Sequence, residues 1–216
     1  VYINGLAVDN PAGLQFPYVV TSTSAELNFN TLDRLGINAA TQVGRQIGNG
    51  RIFYLTEKQV ADLKGIDPSI QVDRWQKANG FGPLHYFPHD PKNYPGWTAD
   101  NFGPIYIPQK GTTIQITTGN ISMYERIIDI YEDNDLRIDG NDIYINGKKT
   151  SSYTFKMDYY WMMGDNRHNA DESRVWGSVP ETHIVGNPLF RWFSTKHGNM
   201  RTGINWDRIF TSADKF

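Results

Sequence analysis

From Gly164 to Gly177 the chain reads GDNRHNADESRVWG, and no other stretch gathers so many hydrogen-bonding groups. Asp165, Asp171 and Glu172 supply carboxylates, and Arg167 and Arg174 supply planar five-donor guanidinium groups that can fork onto them. Asp165 and Asn166 can bond their own turn, and Gly164 allows a backbone bend closed to other residues. Ser173 adds a hydroxyl and His168 an imidazole. A loop knitted by such pairs is stiff. Its chemistry alone serves a structural corner and the wall of a reaction site equally well. Calcium fits poorly, because the acids lack EF-hand spacing and two arginines compete for them.

Such a loop needs a rigid support, and the apolar run Tyr159–Met163 just before it reads as the strand that delivers it. Further strands are expected at Phe16–Thr23, Gly50–Leu55, Ile70–Trp75, Pro104–Ile116 (with a turn at Gln109-Lys110-Gly111), Asp142–Asn146, Ser152–Met157 and Ile184–Ser194. The Asn-Gly turn chemistry of a hairpin occurs twice, in VYING at Val1–Gly5 and in IYING at Ile143–Gly147. Short helices are expected at Leu27–Leu35, from a capping-box pattern at Thr56 to Gly65, and at Asn120–Asp133, where the apolar residues have helical spacing. Residues 120–142 hold seven acids against two arginines and read as a solvated face and loop. Residues 79–102 are rich in Gly, Pro and aromatics, and form an ordered loop whose rings need a packing partner.

With 216 residues, 39% hydrophobic, the chain can bury a core. The balance of 21 basic and 23 acidic residues leaves no basic surface for nucleic acid. Absence of cysteine excludes disulfides, zinc–thiolate sites and thiol nucleophiles. No apolar run approaches a bilayer-spanning length, and there is no signal-peptide pattern at Val1. Because the chain opens within a strand-like run, we expect it to be a piece of a longer protein.

Other constellations are weaker. His85 and His89 have a spacing that suits a metal on a helix, but Pro83, Pro88 and Pro91 argue against a helix there. No metal and no cofactor is expected. His168 and His183 have no partner at motif spacing, and there is no Gly-x-Ser-x-Gly, His-Glu-x-x-His or phosphate loop.

GDNRHNADESRVWGSVP followed by HIVG resembles the C-terminal signature of the type I signal peptidases, membrane-bound bacterial serine endopeptidases. Gly164, Asp165, Asn166, Arg167, Ser173, Arg174, Trp176, Gly177, Val179 and Pro180 match that pattern. The resemblance covers residues 104–194 well, and VYING resembles the strand that follows the family's lysine-bearing segment. It implies a mainly β fold with short helices: a signal-peptidase-like complex β fold, with residues 1–8 and 105–216 forming part of the catalytic core and 9–104 an inserted α+β subdomain. It also implies a Ser–Lys dyad. The family's Ser-Met-x-Pro and Lys-Arg runs are absent here, and Ser122-Met123 is an accidental imitation followed by Tyr124-Glu125. The resemblance therefore places the catalytic serine and lysine upstream of Val1 and leaves this chain inactive by itself.

Gly164, Asp165, Asn166, Arg167, Ala170, Glu172, Ser173 and Arg174 then form a supporting loop beside the lysine. Two positions depart from the family: Ala170 replaces a serine that orients the lysine, and Glu172 replaces an aspartate. The resemblance implies a parent protein that processes signal peptides of exported preproteins. It would be anchored by an N-terminal segment in the bacterial cytoplasmic membrane, with this region on the periplasmic side. The alternative is a non-enzymatic paralogue whose insertion binds a partner protein or membrane surface through the 79–102 loop. A Ser–Lys autoprotease of the repressor type is a third reading, against which the long insertion and the missing basic DNA-binding segment argue.

Overall fold

A computed structural model describes residues 1–23, 27–75, 84–195 and 200–213. The chain is mainly β with short helices, and divides into two compact units. The first comprises Val1–Lys77, Asp165–Ala170 and Gly186–Phe216; the second comprises Ala78–Gly164 and Asp171–Val185.

The first unit is built on a four-stranded antiparallel sheet in the order Val43–Ile47, Gly50–Leu55, Phe16–Thr21, Gln71–Arg74. Alternation puts Val20, Phe53, Leu55 and Val72 into one core, with Leu32 from helix Phe29–Arg34 and Leu63 from helix Glu57–Lys64. Both helices start on side-chain caps: Asn28 accepts from the Thr31 amide, and Thr56 and Gln59 form the reciprocal box. Gly50 sits where a Cβ would lie 2.7 Å from Val19 Cγ1, so the two strands cross too closely for any other residue. Strand Val43–Ile47 escaped the sequence reading because Gly44, Arg45 and Gln46 carry no strand pattern; its place at the sheet edge and a register shift after Val43 explain why it needs none. Asn4 and Gly5 both take positive φ, 51° and 79°, and turn strand Tyr2–Ile3 onto Leu6–Ala7.

The second unit consists of small antiparallel pairings: Thr113–Gln115 with Ser152–Thr154, Tyr159–Tyr160 with Val179–Pro180, and the three-stranded set Leu136–Asp139, Asp142–Ile145, Lys148–Lys149. Asn146 and Gly147 repeat the positive-φ turn of the first hairpin, at 51° and 74°. Ile116, Ile121, Met123, Tyr124, Ile127, Ile128, Ile143, Tyr153, Phe155 and Tyr159 form the core together with Phe87 and Trp97. The rings of the 79–102 loop thus find their partners inside this unit: Tyr94, Trp97, Phe102, Trp161 and Phe87 follow one another at centroid separations of 4.6, 4.6, 5.6 and 5.9 Å. Residues 79–83 of that loop lie outside the described residues.

Five expectations are corrected. The single helix over Asn120–Asp133 is instead a 3₁₀ turn, Ile121–Met123, and a π-helical turn, Ile127–Tyr131, although Ile121, Tyr124, Ile127 and Ile128 are buried as the spacing requires. Glu132 explains the wider turn. It is only 4% exposed, and its carboxylate accepts from Tyr153 Oη at 2.5 Å, Tyr159 Oη at 3.0 Å and the Lys156 amide at 2.9 Å. Swinging it inward closes an i→i+5 bond from its own amide to the Ile127 carbonyl. One of the seven acids read as solvated is therefore the polar centre of a core.

The strand over Pro104–Ile116 shrinks to Thr113–Gln115, since Pro104 and Pro108 have no N–H to offer a ladder. The strand over Ile184–Ser194 shrinks to Phe190–Arg191, paired with Thr211–Ser212, and Val185 and Leu189 before it are exposed. Tyr159–Met163 pairs as a strand only at Tyr159–Tyr160.

Candidate functional site

The strand that delivers the polar loop stops early because Ser173 takes over its hydrogen bonding. Met162 donates its amide to Ser173 Oγ at 2.9 Å, and Ser173 returns its amide to the Met162 carbonyl at 3.1 Å. Two residues further in, the Gly164 amide donates to Glu172 Oε2 at 2.7 Å. These bonds clamp the mouth of the loop from both sides. Ser173 is wholly buried, and Glu172 and Arg174 are 5% and 6% exposed.

Of the ion pairs anticipated in the loop, Arg174 with Glu172 is formed: Arg174 Nε donates to Glu172 Oε1. One carboxylate thus serves two donors, a backbone amide through one oxygen and a guanidinium through the other. Arg174 Nη1 goes on to the Ala99 carbonyl at 2.7 Å, and the Arg174 carbonyl accepts from the Phe87 amide at 2.9 Å. A buried charge pair is tolerated when further hydrogen bonds offset its desolvation, and the Ala99 carbonyl and the Gly164 amide supply two of them. Residues Ser173–Trp176 form one helical turn that ends at Gly177, at φ 94°. A Cβ there would be 2.7 Å from Phe87 Cε2, so a glycine is required both by the backbone and by the ring against it.

Residues Asp165–Ala170 belong to the first unit and are held within it. The Gln15 amide donates to the Asp165 carbonyl at 2.8 Å, the Arg167 amide donates to the Gln15 carbonyl at 3.3 Å, and Gln15 and Asn166 form a parallel bridge. Asp165 Oδ2 lies 2.8 Å from where a Cβ on Gly13 would stand. The Asn169 amide closes a turn onto the Asn166 carbonyl at 3.0 Å, and Asn166 Oδ1 is buried without a hydrogen-bond partner among the described residues. The His168 ring lies 6.1 Å from the Phe16 ring, over which the Arg74 guanidinium stacks at 3.5 Å. Ala170 is half-buried. The anchoring role of Pro11–Gln15 was not read from sequence, because a short Gly-Leu-Gln segment bonding through its backbone leaves no pattern.

The remaining candidates have local duties. Ser122 donates to Asp90 Oδ2 at 3.0 Å. Asp90 is held below its ordinary carboxyl range: burial pushes it the other way, but the bonds from the Asn93 side chain and amide and from Ser122 outweigh it. His89 Nδ1 donates to the Leu84 carbonyl at 2.9 Å, and His85 stacks edgewise on Tyr86. His183 packs edgewise on Tyr131. Among the described residues no three of His, Asp or Glu are placed to hold a metal, and no helix is long and apolar enough to cross a membrane.

Residues 110–193, which include the whole clamped loop, match the family described as signal peptidase, peptidase S26. Signal peptidase I of Buchnera aphidicola (subsp. Baizongia pistaciae) is 38% identical over 76 residues, spanning 33% of this chain and 24% of that protein. Signal peptidase I of Haemophilus influenzae is 40% identical over 68 residues, spanning 31% and 20%. Signal peptidase I of Helicobacter pylori strain J99 is 35% identical over 83 residues, spanning 33% and 29%. The chain thus spans less than a third of the length of these curated relatives. No solved structure matches it significantly. Residues 110–193, with the signature loop among them, are thus similar to the corresponding region of the type I signal peptidases.

Proposed function

We propose that this chain is the extracytoplasmic region of a type I signal peptidase that removes signal peptides from exported preproteins, and that its own part is to support the reaction site. The observation that carries this reading is the clamped mouth of the signature loop, where Glu172 binds both the Gly164 amide and Arg174. A lysine acts as a general base only when neutral, which requires a dry and fixed surround. A loop whose carboxylate and guanidinium satisfy each other is suited to wall such a lysine without charging its environment. We assign this supporting role to Gly164, Asp165, Asn166, Arg167, Ala170, Glu172, Ser173 and Arg174.

In the parent protein a serine hydroxyl would attack the scissile carbonyl and the neutral lysine would take its proton, both groups coming from outside these 216 residues. A membrane anchor, a periplasmic location and the status of 9–104 as an insertion belong to the same proposal. The reading in which the 79–102 loop displays its rings to a partner is less favoured, because Phe87 and Trp97 are buried in the core of the second unit.

The test is cleavage of a signal-peptide substrate. The parent protein is expected to cleave it and to lose activity when its own serine or lysine is replaced, whereas the 216-residue chain is expected to cleave nothing. Cleavage by the chain alone, abolished by Ser122→Ala, would overturn the reading.

A further inference from the structure

The signature arginine does not depend on the signature alone. Its carbonyl accepts from the Phe87 amide at 2.9 Å, and its Nη1 donates to the Ala99 carbonyl at 2.7 Å, seventy-five positions earlier in the chain. The Phe87 ring closes on Gly177, one helical turn below. The turn that presents the Ala99 carbonyl is itself fastened: Asn101 donates its amide to Thr98 Oγ1 at 3.0 Å and its side-chain amide to the Gly96 carbonyl at 3.0 Å, and the Thr98 amide donates to the Asn101 carbonyl at 2.8 Å. The limb is pinned to the core through Trp97 and Phe102 on either side of that turn.

We propose that residues 86–101 are a positioning brace for the signature loop: the Phe87 backbone and ring and the Ala99 carbonyl hold Arg174, Arg174 holds Glu172, and Glu172 holds the Gly164 amide. The brace touches no substrate. It acts through Arg174, whose guanidinium donates to the Ala99 carbonyl on the limb and to Glu172 on the loop. Loss of the limb's acceptor removes a hydrogen bond from a buried guanidinium, and the pair would reorient or admit water. The limb whose rings suggested a partner surface is on this account an internal part of the site.

The kinetic half of this proposal rests on the protease reading, so the test has two arms. The double variant Thr98→Ala, Asn101→Ala loosens the turn without touching the core, since Asn101 is exposed and Thr98 half-buried. In the 216-residue chain, hydrogen exchange is read at the Gly164 and Ser173 amides, with the Glu57–Lys64 helix as an internal reference. Protection at Gly164 and Ser173 is expected to fall about tenfold while the reference helix is unchanged. In the parent protein the same variant is expected to lower kcat with KM little changed, and to move the rising limb of the kcat–pH profile upward, because a wetter wall leaves the lysine charged to higher pH. Unchanged protection overturns the brace whatever the kinetics. Loss of protection in a protein whose wild type cleaves nothing upholds the brace and overturns the protease reading. Loss of protection with unchanged kcat and pH profile in an active parent overturns the kinetic role.

Discussion

Gly164 and Glu172 are joined by a 2.7 Å hydrogen bond, backbone amide to carboxylate, and the same carboxylate is the partner of Arg174. The loop's first and last segments within the second unit are therefore held by one side chain. The glutamate meets two donors at once, a backbone amide and a guanidinium.

Glu172→Gln is the sharpest test of that arrangement. It keeps the volume but removes one charge of a buried, hydrogen-bonded pair, which costs about 3–5 kcal/mol. Urea denaturation of the chain should show the midpoint falling with the slope unchanged. A loss below about 1 kcal/mol would mean that the pair is solvated in solution.

Gly13→Ala probes the other segment. The new methyl would meet Asp165 Oδ2 at 2.8 Å, so the carboxylate must rotate away. Stability should drop by about 1 kcal/mol, and an NMR spectrum should show shifts at Asp165 and Gln15. Shifts confined to residues 11–15 would indicate that the two segments do not meet.

Alkaline titration reports on the Glu132 centre. Burial first, and then the hydrogen bond and charge of Glu132, hold the Tyr153 and Tyr159 hydroxyls well above their ordinary value. A folded-state pKa raised above the unfolded value of about 10 contributes stability in full below that pH, and the contribution is lost as pH rises beyond it. Absorbance at alkaline pH should show two tyrosines that ionise only as the second unit unfolds. Tyr153→Phe, which removes one of three donors to Glu132, should cost about 1–3 kcal/mol and flatten the alkaline loss.

Ala170→Ser restores the hydroxyl that the family resemblance places against the lysine. In the parent protein turnover should rise about tenfold, the equivalent of one hydrogen bond of about 1.4 kcal/mol. Unchanged turnover would count against a lysine-orienting role for this position.

What the sequence determined by itself is what short-range chemistry carries. Both Asn-Gly hairpins form where they were read, because positive φ is a property of the turn residues themselves. The Thr56 box starts its helix and Gly65 ends it, because cap and partner are three residues apart. The signature was legible as a dense polar loop behind an apolar strand, and its residue order already resembled the family whose model matches residues 110–193. What only the tertiary structure decided depends on partners far along the chain. Arg174 had three acids within reach in sequence and takes Glu172, because Gly164 and Ala99 fix both ends of that pair. Glu132 resembled its solvated neighbours until Tyr153, Lys156 and Tyr159 drew it inward and reshaped the helix that carries it. A periodic pattern records which face is apolar, but it holds no record of which distant donor a carboxylate will meet, and burial makes that meeting decisive.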